Sequence, residues 1–295
     1  MYHWLANVSV AKKLMIGFGL LLVMSLLIFW SGWSSISGLS YRMDRMGAVN
    51  KLMDDMGDMR LARGDYLQSQ GNVDNAKALD AKIETTAQTL AGLKAFFTTP
   101  FNLKHLDDMT QSLQAYRVGV DGLKAAYQQI DASRLVRRTT GDKALQLLDG
   151  LDKYVTESAD VQTQYKVYRA VKDVQMQFLF ARFETRAYTY SNNPKSFDAA
   201  AGAVDKTLAS LGVLRQALDS ADGAALVELG QVVQGYRDSL QTHQAALQQI
   251  NASSAEVQKQ GDNMLHISQE LYANQMQLRA EDTDKAAWTM GLCLL

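Results

Sequence analysis

Cysteine is almost missing from this chain: Cys293 is the single one among 295 residues. The stretch before it therefore holds neither a disulfide framework nor a thiolate metal site. Proline occurs only at positions 100 and 194, so little stands in the way of long helices. Strand signals are missing too, because no run of alternating Val, Ile and Thr lies between turn residues. No excess of one charge exists either: Lys and Arg total 30 against 31 Asp and Glu, which gives no field for nucleic acid. The four histidines, His3, His105, His243 and His266, form no metal-spacing pair. No GxSxG, P-loop or glycine-rich dinucleotide turn occurs, so nothing in the sequence implies a cofactor, a metal or catalysis. Asp54-Asp55 and Asp107-Asp108 are neighbours on helices, so each pair diverges and reads as solvated.

What the chain does have is an apolar run, Leu14 to Trp33, inside a stretch without charge between Lys13 and Arg42. About 20 apolar residues span a bilayer as one helix, with every backbone polar group satisfied internally. Lys12 and Lys13 place residues 1–13 in the cytoplasm, and Trp30 and Trp33 suit the opposite interface. Residues 14–33 are then a transmembrane anchor, and residues 34–285 are exported. A cleaved signal peptide is the alternative. Its apolar core is shorter, and Ser34-Ser35-Ile36-Ser37-Gly38 is a weak cleavage site. Residues 286–295, AAWTMGLCLL, are too short to cross a membrane and read as the start of a second, truncated span.

Between the two apolar ends the pattern is helical throughout. Breaks fall at Gly71-Asn72, at Thr98-Thr99-Pro100, near Asp160, at Asn192-Asn193-Pro194 and over Asp219–Gly223. Asp74 is the expected cap of the second helix. Six helices result. At 1.5 Å per residue the first two measure roughly 50 and 35 Å and the third roughly 80 Å. The fourth and fifth measure roughly 45 and 35 Å and the sixth roughly 90 Å. The expected fold is all-α: two four-helix bundles stacked end to end, with broken helices climbing in line and the third and sixth helices shared.

An internal repeat supports a duplicated half. Ala115-Tyr116-Arg117 and Gln128-Gln129-Ile130 recur as Gly235-Tyr236-Arg237 and Gln248-Gln249-Ile250. Arg60 to Arg63 followed by Tyr66 is echoed by Arg182 to Arg186 followed by Tyr188. The offset is near 120 residues each time, which suits a helix pair plus a long return helix.

The arginine pairs are the candidate chemistry. Arg60 and Arg63 share a helix face, as do Arg182 and Arg186, and the length bookkeeping puts both pairs at similar heights in the lower bundle. Guanidinium groups grip carboxylates through paired hydrogen bonds, so a small di- or tricarboxylate is the natural guest. The plainer alternative is surface pairing with Asp58, Asp65 or Glu184, worth roughly 0–1 kcal/mol. Tyr116, Arg117, Tyr236 and Arg237 mark a second, distal anion site, with core tyrosines and snorkelling arginines as the alternative. Met43, Met46, Met53, Met56 and Met59 read as a packing seam.

With these residues in place the chain resembles the front portion of bacterial methyl-accepting chemotaxis proteins with a helical bimodular ligand-binding domain. The resemblance rests on the helix order, on Trp4 to Val10, on Leu61 to Tyr66, on Arg182 to Tyr188 and on the block at Ala115. It implies a sensor of small organic acids such as tricarboxylic acid cycle intermediates, held by Arg60, Arg63, Arg182 and Arg186, with a short acid in the distal bundle of some members. It also implies a homodimer, and a cytoplasmic chemotaxis kinase and adaptor engaged through a C-terminal region not present here. Two other readings keep the same exported part: the sensor of a histidine kinase or cyclic-nucleotide enzyme, and a ligand-free membrane-anchored helical assembly protein.

Overall fold

The computed structural model describes residues 9–157, 161–218 and 223–293. Six helices account for nearly all of them: α1 (Val10–Gln68), α2 (Val73–Phe96), α3 (Pro100–Glu157), α4 (Val161–Ser191), α5 (Pro194–Ala217) and α6 (Gly223–Cys293). His3, Asp160, Asp219 and the start of the Trp4–Val10 block lie outside the described residues.

Turn chemistry explains where the helices stop. After α1, Gln70 and Gly71 take φ of 54° and 90°. The Gly71 N–H donates to the Tyr66 carbonyl at 3.2 Å and the Gln70 N–H to the Leu67 carbonyl at 3.1 Å. This left-handed ending satisfies the last carbonyls and turns the chain back. The cap of α2 is Asn72, whose side chain accepts from the Asp74 and Asn75 N–H groups; Asp74 lies in the first turn instead of capping, which corrects the sequence expectation. The same device ends α4: Asn192 has φ 52°, Asn193 caps α5, and Pro194 occupies its first turn.

These reversals make hairpins of α1–α2 and α4–α5, which corrects the in-line climb expected from helix lengths. In the first hairpin Tyr41 meets the Phe96 carbonyl, Asp55 accepts from Thr89 at 2.5 Å, and Asp58 pairs with Lys82 at 2.7 Å. In the second, Ser210 donates to Asp173 at 2.8 Å, and Tyr188 meets Phe197 edge-on at 5.4 Å.

The chain divides into two compact units, residues 1–117 with 258–295 and residues 118–257. The first unit takes α1, α2, the start of α3 and the C-terminal part of α6. Its antiparallel order shows in Lys94–Asp107 at 2.8 Å, Asn263–Ser112 at 2.7 Å and the Arg42–Asp282 pair. Leu52, Met56, Met59, Leu106, Met109 and Met264 fill its core. Of the expected methionine seam, Met46, Met56 and Met59 are buried, Met53 is half-buried and Met43 is exposed. The second unit takes the rest of α3, α4, α5 and the start of α6 around Val171, Val174, Phe178, Leu229, Val233 and Leu240. Burying one such side chain contributes roughly 1.5–3 kcal/mol, so the apolar seams hold each bundle together.

Within α1, Val10–Trp30 is long and apolar enough to cross a membrane, and none of it is buried.

Candidate functional site

The four candidate arginines do not share a unit. Arg60 and Arg63 belong to the first and Arg182 and Arg186 to the second, because α1 and α4 each fold back in a hairpin of their own.

In the first unit, α1 carries Arg60 and Arg63, α3 carries Tyr116 and α6 carries Gly261 and Asp262. Tyr116 is fully buried, and its ring seats on Gly261, where a Cβ would lie 3.5 Å from Cε2. The Tyr116 hydroxyl and Arg63 Nε are both buried without a hydrogen-bond partner. Burial pushes the Tyr116 phenol up to about 12, opposed by the charges of Arg63 and then Arg60. It is therefore a neutral O–H donor flanked by two cations. Arg60 reaches Asp262 at 4.0 Å, a loose pair with half-exposed partners. Arg117 does not join this group; it pairs on the surface with Glu84 at 3.0 Å.

The second unit repeats the tyrosine on glycine and the arginine–aspartate pair on α4, α6 and α3, but there the Tyr236 hydroxyl shares a hydrogen bond with Thr185. Tyr236 seats on Gly141, 3.3 Å from a Cβ built there. Arg182 pairs with Asp142 at 3.4 Å, and Arg237 with Asp205 at 2.9 Å. Arg186 is exposed. Tyr236, Gly141, Asp142, Arg182 and Arg237 each stand 120–122 residues from their counterparts in the first unit, whereas Arg186 stands 123 from Arg63, whose own position at the Arg60–Arg182 offset is taken by Thr185.

One group has no such counterpart. Arg137, 8% exposed, donates to Ser133 Oγ and the Ser239 carbonyl, both at 3.2 Å. Its other nitrogen lies 3.4 Å from His243 Nδ1. A guanidinium only donates, so Nδ1 accepts, and Nε2 carries the proton toward Asn192 Oδ1 at 3.3 Å. Burial, then the charges of Arg137 and Arg134, push His243 down to about 4, so the imidazole is neutral and cannot offset a carboxylate. The Tyr188 hydroxyl is buried nearby without a partner. Arg137 forms no ion pair among the described residues, and burial pulls its own affinity for a proton down. An isolated buried cation is costly unless an anion joins it.

Sequence reasoning missed Arg137, His243 and the two Gly-Asp steps. The steps were visible, since Gly141-Asp142 and Gly261-Asp262 recur at the same offset. Arg137 carried no such mark.

A separate groove of about 540 Å³ opens between α3 and α6 in the first unit. Asp108, Glu270, His105 and His266 line it, so its acids do not suit a carboxylate guest. Among the described residues no three His, Cys, Asp or Glu side chains are placed to hold a metal ion.

The model of a helical bimodular sensor domain matches residues 33–286. The chain is 30% identical over 296 residues to methyl-accepting chemotaxis protein McpS of Pseudomonas putida, covering 100% of this chain and 46% of that one. It is 29% identical to McpQ of the same organism over 95% of this chain and 44% of that protein. With McpK of Pseudomonas aeruginosa it shares 30% identity over 80% of this chain and 37% of the relative. The chain thus spans about half the length of the curated relatives it matches or less. A histidine kinase TorS sensor domain of V. parahaemolyticus aligns over 81% of this chain and 99% of its own, at 14% identity and a TM-score of 0.46. That likeness is too slight to bear on function.

Proposed function

Because the chain belongs to the helical bimodular sensor domain family, we propose that it is the sensory part of a membrane-anchored methyl-accepting chemotaxis receptor that detects small organic acids. Chemoreceptors are its relatives, so the reading is a receptor and not an enzyme. Residues 1–13 are cytoplasmic, 14–33 cross the inner membrane, 34–285 form the periplasmic sensor and 286–295 begin a second span. The receptor works as a homodimer and passes its signal to a cytoplasmic kinase and adaptor.

The observation that carries the ligand class is the set Arg60, Arg63 and Tyr116. Two guanidinium groups flank a neutral phenol, and both Arg63 Nε and the phenol oxygen are buried without partners. A di- or tricarboxylate, such as a tricarboxylic acid cycle intermediate, supplies acceptors for all of them in charge-assisted bonds. The reading extends to Arg182, Arg186 and Tyr236 of the second unit, where Arg182 acts on Tyr236 and Arg186 is exposed on the same helix. There the uncompensated Arg137 beside Tyr188 favours a second, smaller acid. Tyr116 and Tyr236 act as donors, while Arg117 and Arg237 hold neighbouring helices through Glu84 and Asp205. Binding signals only if the acid prefers one of two helix arrangements, so a shift of α6 against α1 is the expected output.

Thermal shift of the full chain in micelles against mono-, di- and tricarboxylates tests this reading. Binding raises the Tm by mass action. Arg63→Ala should abolish the response to dicarboxylates, at least tenfold in Kd, while the ligand-free Tm stays put. An unchanged response in Arg63→Ala refutes the site.

A further inference from the structure

The groove between α3 and α6 in the first unit carries chemistry that an acid-binding site leaves unused. His105 of α3 faces an acceptor at each ring nitrogen. Its Nδ1 lies 2.9 Å from the Phe101 carbonyl oxygen, and its Nε2 lies 3.1 Å from Glu270 Oε2 of α6. A carbonyl and a carboxylate only accept, and a neutral imidazole has one N–H to give. With Nδ1–H donated to Phe101, the Nε2 lone pair meets the carboxylate unless a cation stands between them. The other oxygen, Glu270 Oε1, lies 3.5 Å from Nε2 of His266, one turn away on α6. Asp108, one turn along from His105, lines the same groove, and no Lys or Arg does. The repeat supplies a control. At an offset of 120, the positions of His105, His266 and Glu270 are taken by Ala225, Gln146 and Gly150. The same bundle therefore forms without these three side chains, so folding does not call for them.

We propose that this groove is a site for a divalent transition-metal ion of the Zn²⁺ class, held by His105 Nε2 and Glu270, with His266 and Asp108 as further donors. Zinc binds nitrogen and oxygen at about 2.0–2.2 Å, so two neighbouring ligand atoms on one ion stand roughly 2.9–3.4 Å apart. The gap of 3.1 Å between His105 and Glu270 falls in that range. His105 is also oriented as a ligand: metal-bound histidines donate their second ring N–H to a carbonyl or carboxylate, as Nδ1–H does to Phe101. The Phe101 ring lies against the imidazole, with centroids 4.1 Å apart. The His105 side chain is 16% exposed, against 45% for Glu270 and 68% for His266. As the side chains stand, the two imidazoles address different oxygens of Glu270, and no three donors share one point. The exposed His266 has room to turn onto an ion already held by the other two. Imidazole donors select zinc-like ions over Mg²⁺ and Ca²⁺, which prefer oxygen. A bound ion ties α3 to α6 and gives the first unit an input separate from Arg60, Arg63 and Tyr116. The inference rests on the groove and not on the receptor reading.

Isothermal titration of the tag-free full chain in micelles with Zn²⁺, in a buffer without organic acids, tests the site. One Zn²⁺ per chain should bind in the micromolar range or tighter, and Mg²⁺ at the same concentration should not displace it. His105→Ala and Glu270→Gln should each weaken binding at least about tenfold, and His266→Ala should weaken it less. His3→Ala and Cys293→Ala, which remove donors near the two ends of the chain, should leave it unchanged. Zn²⁺ should raise the Tm of the parent but not that of His105→Ala, whose melt also reports that the variant folds. No binding, displacement by Mg²⁺, or binding that survives both His105→Ala and Glu270→Gln overturns the site. A chain that binds Zn²⁺ through His105 yet answers no carboxylate keeps this site and refutes the acid-receptor reading. The converse result refutes the metal site alone.

Discussion

The two repeats, one built on the α1–α2 hairpin and one on the α4–α5 hairpin, keep the same skeleton and differ in two layers. Kept are the arginine–aspartate pairs Arg60–Asp262 and Arg182–Asp142, the tyrosines seated on Gly261 and Gly141, and the left-handed turns at Gln70 and Asn192. The first changed layer is internal. Where one level of the long helices has Arg137 of α3 with Ser239 and His243 of α6, the same offset gives Val257 of α6 with Gly119 and Leu123 of α3. Val257 and Leu123 are fully buried, and a Cβ on Gly119 would lie 2.5 Å from Val257 Cγ2. The second changed layer is the outer face of α4, where exposed Met176, Leu179, Phe180 and Phe183 stand at the positions of Asp54, Gly57, Asp58 and Leu61 on α1. Shared features hold the fold, so the residues that changed are the ones free to serve ligand and partner.

The internal layer offers the largest test. Val257→Arg places an uncompensated charge in a packed apolar spot and should destabilise by about 3–5 kcal/mol. Arg137→Met removes such a charge and should leave the ligand-free chain within about 1 kcal/mol of the parent, since the lost hydrogen bonds and the relieved desolvation oppose each other. Urea denaturation followed by circular dichroism measures both. Equal tolerance of the two changes would mean the two layers do not differ in packing.

A smaller effect follows from His243. Unfolded, the imidazole binds a proton near pH 6.5; folded, it does so only near 4. Between these values the unfolded state holds the extra proton, so stability is complete above about 6.5 and falls as pH drops toward 4. Arg137, Tyr188 and Asn192 face the ring, and the charge of Arg134 adds to that of Arg137. About 1–2 kcal/mol should be lost, after allowing for solvent screening. His243→Leu, which copies Leu123, should remove this component from the pH profile of urea midpoints.

Much of this was legible beforehand. Apolar periodicity and the breaks at Gly71, Pro100 and Pro194 gave six helices with ends within a few residues of those observed. The duplication was written in repeated blocks. Chain reversal was not legible, because lengths cannot distinguish α2 continuing α1 from α2 folding back along it; Gln70 gives no hint that its φ is positive. That error moved Arg182 and Arg186 into the company of Arg60 and Arg63. Arg137 escaped notice because a buried cation and a surface cation look alike in a sequence.

The turns themselves give the finest comparison of the halves. Gln70 holds φ 54° and Asn192 holds φ 52° at the same point of the two hairpins. A left-handed residue other than Gly or Asn carries strain, so Gln70→Gly should stabilise by about 0.5–1 kcal/mol. Asn tolerates this conformation better, and Asn192 Oδ1 also receives His243 Nε2. Asn192→Gly should therefore gain nothing or lose a few tenths of a kcal/mol. Thermal melts of the two variants side by side settle the point. If both gain equally, the Asn192–His243 contact contributes nothing, and the polar layer of the second half ends at the imidazole.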